Sequence, residues 1–150
     1  MMSEGDRELV AALHGCNQRG GRMLTVVDLV EAGSCDVSVA GYLCAVMRGG
    51  SSVLVGATPG GGGKTTVMCA LLNFLPNETR VVVVEREGVL HELPERPTCV
   101  LAHEISSAPY YAYIWGETVR RFFEVGRCGY WVASNLHALS LIHISEPTRP

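Results

Sequence analysis

The sequence predicts an α/β fold, a mainly parallel sheet flanked by helices, preceded by a short helical lead-in. Three observations predict it. An apolar run at residues 52–57 breaks into four glycines and a Lys-Thr-Thr, after which a helix apolar on nearly every side begins. A second run, Arg80-Val81-Val82-Val83-Val84-Glu85, is apolar without alternation, the signature of a central parallel strand. Further apolar runs at 98–102, 111–115 and 130–134, the last two separated by a helical pattern, supply the alternation of strands and helices that builds a parallel sheet.

Taken in order, residues 4–15 set Leu9, Val10 and Leu13 among charges, a weak amphipathic helix that the basic, glycine-rich turn from Asn17 to Arg22 ends. Thr25 is a cap for a second short helix carrying Val26, Val27, Leu29 and Val30, with Gly33 as its stop. Asp36 caps a third, in which Val39, Leu43, Val46 and Met47 fall on one face, and Gly49-Gly50 closes it. Residues 1–50 are thus a helical lead-in packed on a core spanning 51–138. Within that core the helix at 65–75 is apolar all round and must be buried between layers; Pro76-Asn77 ends it. The helix at 117–125 presents Val119, Phe122 and Phe123 on one side.

The chain of 150 residues fits one domain, and its 47% apolar content supports a real core. A net charge of −3 gives no basic footprint for nucleic acid, so none is expected as a partner. No stretch reaches the roughly 20 apolar residues of a membrane span, and the polar start is not a signal peptide, so a cytoplasmic location is expected. The six cysteines, at 16, 35, 44, 69, 99 and 128, lack the spacing of a zinc site and are expected as small buried apolar residues.

Chemistry concentrates at the glycine stretch, Thr58-Pro59-Gly60-Gly61-Gly62-Gly63-Lys64-Thr65-Thr66. Glycines without a Cβ let backbone N–H groups turn inward around a triphosphate, and the following helix offers its positive end to the same anion. Lys64 would lie along the phosphates, and the Thr65 hydroxyl would hold Mg²⁺. Counted back from Lys64, the first glycine of G-x-x-x-x-G-K-[ST] falls on Thr58, and Gly56 comes two residues early. Glu85 ends a buried strand, where α/β folds place ligands, and can orient water toward a terminal phosphate. Glu117 ends a second apolar run and is the candidate for holding Mg²⁺ through water. His103-Glu104 follow a third strand and are a further pair at the same end, and His137 follows the last.

Together these pieces resemble the ATPases of type II and type IV secretion, type IV pilus and archaellum assembly. That family's core runs through a phosphate loop, an acidic strand end called the Asp box, a Walker B strand ending in Gly-Glu, and a His box ending in Thr-x-His-Ala. The counterparts here are the loop from Gly60 to Thr66, the run from Arg80 to Glu85, Ala112-Tyr113-Ile114-Trp115-Gly116-Glu117, and Gly129 through Ser134-Asn135-Leu136-His137-Ala138. The lead-in from Leu24 to Val30 and the phrase from Leu71 to Pro76 also look like the family. Arg86 stands where the second Asp-box acid is usual, Tyr130 where the His box has His, and Asn135 where it has Thr. An archaeal branch with a Thr-Pro-Gly loop and an Asn-Leu-His-Ala box fits these changes.

The resemblance implies a RecA-like P-loop NTPase fold and a ring hexamer on the cytoplasmic face of a membrane assembly platform. ATP and Mg²⁺ would be its cofactors. It makes Glu85 the general base, Glu117 the Walker B acid and His137 the His-box sensor; Arg80, Arg120 and Arg121 are candidates for reaching phosphates across a subunit boundary. The family core continues past its His box, so the sheet is expected to be incomplete with an apolar edge exposed. Residues 139–150 resemble translated adapter sequence and are expected to be a non-native tail. Two other classes share the loop and helix, a P-loop phosphotransferase acting on a small acceptor and a non-catalytic nucleotide-binding fragment.

Overall fold

The computed structural model describes residues 3–17, 20–57 and 61–137. Thr58, Pro59 and Gly60 of the loop, Ala138 and the tail at 139–150 lie outside the described residues. Three helices open the chain: α1 (Glu4–Cys16), α2 (Val26–Glu31) and α3 (Val37–Arg48). Each begins where a short polar side chain satisfies the free N–H groups of a first turn. Ser3 and Thr25 form capping boxes with Asp6 and Asp28, and Asp36 accepts from the Val39 N–H. The third helix is turned by about one residue from its predicted face. Ala40 and Met47 are buried while Val39 is 45% exposed, because α3 meets the core through its small Ala40 side.

Strand β1 (Val53–Ala57) leads to α4 (Lys64–Leu72), β2 (Arg80–Val83), a 3₁₀ turn at Glu87–His91, β3 (Thr98–Ile105), β4 (Tyr113–Ile114), α5 (Glu117–Arg127) and β5 (Trp131–His137). The five strands form one sheet in the order β1-β5-β3-β2, with β4 paired to the far end of β3, and every pairing is parallel. The chain therefore crosses from β1 to the opposite edge and then fills the centre, β5 entering last between β1 and β3. Among the described residues β1 and β2 end the strand order: Leu54 of β1 is 42% exposed, and the run at 80–85, expected as a central strand, pairs on one side with β3 and is covered by α1 through the Arg80–Glu8 bond.

Two apolar layers sandwich the sheet. On one side Ala12, Leu13, Met47, Met68 and Leu72 pack with Cys99, Leu101 and Ala133; on the other, Phe122 and Val119 pack with Val100, Ala102, Ile105 and Val132. Successive residues of β3 thus enter opposite layers, which is why its sequence is apolar without alternation. The lead-in helices share the first layer with α4, so they are part of this core. Three of the cysteines are buried as expected, but Cys35 and Cys44 are half-buried and Cys128 is exposed. No helix among the described residues is long and apolar enough to cross a membrane.

Strand lengths differ from the sequence reading where pairing or turns decide them. β3 continues past Ala102 to Ile105 because both β5 and β4 pair with its extension. The run at 111–115 shrinks to Tyr113–Ile114, since only these two find partners, Glu104 and Ile105. β2 stops at Val83, where Glu85 N–H turns back to the Val83 carbonyl at 3.0 Å. α4 ends at Leu72, and Phe74 and Leu75 continue in tighter turns.

Two local features hold the lead-in to the sheet. Arg80 donates from Nε and Nη2 to the Glu8 carboxylate at 2.9 and 2.6 Å, and the Val81 N–H donates to Glu8 Oε2 at 3.0 Å, tying α1 to the start of β2. Gly50 turns at φ +75°, and a Cβ there would stand 2.1 Å from the Trp131 ring. Gly50→Ala is therefore expected to lower the urea-unfolding free energy by about 1–3 kcal/mol, from overpacking and from strain at positive φ; an unchanged midpoint contradicts this packing. The Arg80 guanidinium holds the Glu8 carboxyl below its ordinary value of 4.5. A depressed folded pKa means the contribution is whole above that value and lost as the pH falls through the folded one. Glu8→Gln should accordingly destabilise at pH 7, and the difference from wild type should shrink in acid; a gap constant from pH 7 to 3 sinks the assignment.

Candidate functional site

The residues that carry chemistry meet at the carboxyl ends of β1, β5 and β3, around a cleft of about 480 Å³ lined by Gly61, Gly63, Lys64, Thr65, His103 and Glu104, among others. Its far wall is the lead-in, where Cys16, Asn17 and the stretch from Arg22 to Leu24 face the loop. The Asn17 side-chain amide donates to the Gly21 carbonyl at 3.0 Å, and Arg22 forks onto Asp28 at 2.8 and 2.6 Å, which fixes that wall.

The glycine loop delivers α4 with its first turn open. Gly61 and Gly63 adopt φ of +85° and +79°, a conformation that costs a side-chain-bearing residue dearly. Gly63 is the N-cap, with no side-chain hydrogen bond, and the first turn holds no acid. The N–H groups at this helix start are left for an anion, with the positive end of the helix behind them. Lys64 is only 8% exposed, and its Nζ lies 3.6 Å from Glu104 Oε1. A buried ammonium needs such a partner, and the pair can be exchanged for a more highly charged anion. The second oxygen of Glu104 accepts from Tyr113 OH at 3.2 Å.

Glu104 reaches the cleft through an irregularity in β3. Ala102 pairs with Ser134 and Glu104 with Asn135, leaving His103 as an extra residue between them. A bulge of this kind re-aims side chains, and here His103 and Glu104, which a regular strand would send to opposite faces, line the same cleft. Asn135, 1% exposed, is the cross-brace beneath: its Nδ2 donates to Thr65 Oγ1 at 3.0 Å and to the His103 carbonyl at 2.8 Å. A bonded Thr65 hydroxyl keeps its proton and a lone pair directed, the arrangement a cation ligand needs.

Among the described residues three buried polar atoms here have no well-aligned hydrogen-bond partner: both ring nitrogens of His103 and Oδ1 of Asn135. Leaving a buried polar atom so costs on the order of 1–3 kcal/mol, and His103, which lines the cleft, is the one of the two residues that a polar ligand there can reach. The His103 ring is 3% exposed and meets the Tyr111 ring edge-on at 5.3 Å. Burial pushes its pKa below the usual imidazole value, and the Tyr111 backbone offsets part of that. The donor set, an ammonium, backbone N–H groups and hydroxyls facing one carboxylate and an imidazole, fits a phosphate chain with a divalent cation.

Of the residues expected from the sequence, Gly61, Gly63, Lys64, Thr65 and Thr66 line this cleft. Others are elsewhere. Glu117 opens α5, is 59% exposed and faces Arg120 at 3.7 Å; it does not line the cleft, because the run before it is held to the outer side of β3 instead of sitting between β1 and β2. Glu85 is exposed and accepts a short hydrogen bond from Tyr111 OH, which raises that phenol to about 12. His137 ends β5 in register with Ala57, beside the entry to the loop. Arg80 is held by Glu8, and Arg120 by Glu117. Asn135 was singled out in the sequence only as a departure from Thr in the His box, and Glu104 only as one of a pair at a strand end; their link to Thr65 and Lys64 comes from the strand order. No family model matches the chain, and no curated protein matches it.

Proposed function

We propose that this chain binds a nucleoside triphosphate, ATP, with Mg²⁺ and hydrolyses its terminal phosphate as one subunit of an assembly motor. The fold is then a P-loop NTPase of the RecA-like kind. The observation that carries the reading is the Lys64–Glu104 pair, cation and carboxylate brought face to face at 3.6 Å from a glycine-loop helix and a strand two places away in the sheet. In this reading Lys64 leaves Glu104 for the phosphates, and the N–H groups of the α4 start hold the same anion. Thr65, oriented by Asn135, and Glu104 would hold a divalent cation, which when bound would supply positive charge against the phosphates. The freed carboxylate of Glu104 also orients the attacking water, the task that the sequence reading divided between Glu85 and Glu117. His137, at the loop entry, senses the loop.

The order of motifs along the chain supports placing this site in a ring hexamer that works on the cytoplasmic face of a membrane platform for secretion, pilus or archaellum assembly. In such a ring, hydrolysis biases rigid-body positions of neighbouring subunits.

Binding of a fluorescent ATP analogue and phosphate release test the reading. Lys64→Ala should weaken binding at least about tenfold. Glu104→Gln should keep binding and lower turnover by roughly 10²-fold or more. Turnover lost in Glu117→Gln but kept in Glu104→Gln contradicts the assignment. Binding without turnover at any protein concentration marks a non-catalytic nucleotide module, and transfer to a small acceptor marks a kinase. Turnover per chain that rises with protein concentration supports the ring.

A further inference from the structure

We propose that His103 gives an imidazole nitrogen to the divalent cation that accompanies the nucleotide, so that the site takes Mn²⁺ or Co²⁺ in preference to Mg²⁺. The inference rests on the nucleotide reading above and specifies the cation of that same site.

Four observations converge on it. The bulge at His103 puts its ring in the cleft beside Glu104. Both ring nitrogens are buried, and among the described residues neither has a well-aligned hydrogen-bond partner, although the Tyr111 backbone stands close enough to favour the charged ring. The Asn135 amide spans from the Thr65 hydroxyl to the His103 backbone, at 3.0 and 2.8 Å, so the loop's cation ligand and the strand bearing the imidazole are fixed to each other. The ring is seated, with Tyr111 at its edge and Gly15 alongside, where even a Cβ would come no closer than 3.8 Å. A packed ring whose nitrogens lack a well-formed bond among the described residues can give one of them to a ligand atom, with the Tyr111 backbone beside the ring to orient the other.

The chemistry then selects the cation. Thr65, Glu104 and phosphate offer oxygen alone, a set suited to Mg²⁺, which binds nitrogen reluctantly and demands near-ideal octahedral geometry. Adding an imidazole moves the site along the series in which Mn²⁺, Co²⁺ and later metals gain affinity. Among the described residues no group of three His, Cys, Asp or Glu side chains can hold a metal by itself. The cation must therefore draw its remaining ligands from the phosphates, and the metal alone should bind weakly.

Pulsed electron paramagnetic resonance of Mn²⁺-ADP on the full chain, with histidine labelled by ¹⁵N, tests this. A ¹⁵N coupling to manganese is expected; unlabelled adenine contributes only ¹⁴N. The coupling should vanish in His103→Gln, and Mn²⁺ should support ADP binding at about tenfold lower concentration than Mg²⁺, an advantage lost in the same variant. Wild-type protein with Mn²⁺-ADP bound and no ¹⁵N coupling overturns the proposal while leaving nucleotide binding intact, and needs no variant to fold. A coupling that persists in His103→Gln overturns it too, assigning the nitrogen to another histidine. Failure of ADP to bind with any cation overturns the nucleotide reading and this inference together.

Discussion

The constraint on which the rest of the structure depends is the insertion of β5 between β1 and β3. β1 carries the glycine loop at its end and β3 carries His103 and Glu104, yet the two strands never touch. Within the seven residues of β5, Ala133 to Leu136 are in register with both, and its Val132, Ala133, Ser134 and Asn135 are all buried. The distance between loop and carboxylate is therefore set by one strand width on either side, about 10 Å between the outer strands. A long lysine side chain spans that gap, and Lys64 does so to reach Glu104. Asn135 adds the side-chain link between the same two walls, so sheet order and site geometry are one fact.

Electrostatics at the cleft follow from this spacing. Lys64 and Glu104 are both largely buried, and neither could carry its charge there alone. At 3.6 Å, just beyond hydrogen-bond reach, the pair is adequate but loose. Such a pair suits a site that must release its lysine to an incoming anion. The uncapped start of α4 and the unsatisfied atoms of His103 and Asn135 point the same way, toward a ligand that is part of the folded economy of the site.

Much of the fold was legible because local chemistry and tertiary role agree in it. Thr25, Asp36 and Gly33 punctuate helices as their chemistry demands, and the unbroken apolar runs at β2 and β3 became strands, although only β3 is central and covered on both faces. The glycine loop also announced itself, since Gly61 and Gly63 take backbone angles that few other residues tolerate. What sequence could not supply was strand order. An acid at the end of an apolar run looks alike whether the strand is central or marginal, so Glu117, beyond a two-residue strand, resembled Glu104, the seventh residue of an eight-residue one. The bulge at His103 was equally hidden, because it arises from the pairing with β5 and not from any glycine or proline in β3. Glu85 showed the same limit, as its engagement with Tyr111 joins residues 26 positions apart.

The central claim is that Lys64 and Glu104 enclose the reacting end of a nucleotide. A crystal structure of the chain with Mn²⁺ and a non-hydrolysable ATP analogue tests it most directly. The account predicts the terminal phosphate within hydrogen-bond reach of Lys64 Nζ, the cation on Thr65 Oγ1, and Glu104 turned toward the space beyond that phosphate. A nucleotide seated instead at Glu117 and the start of α5, or a Lys64 that stays on Glu104 with the analogue bound, would contradict it.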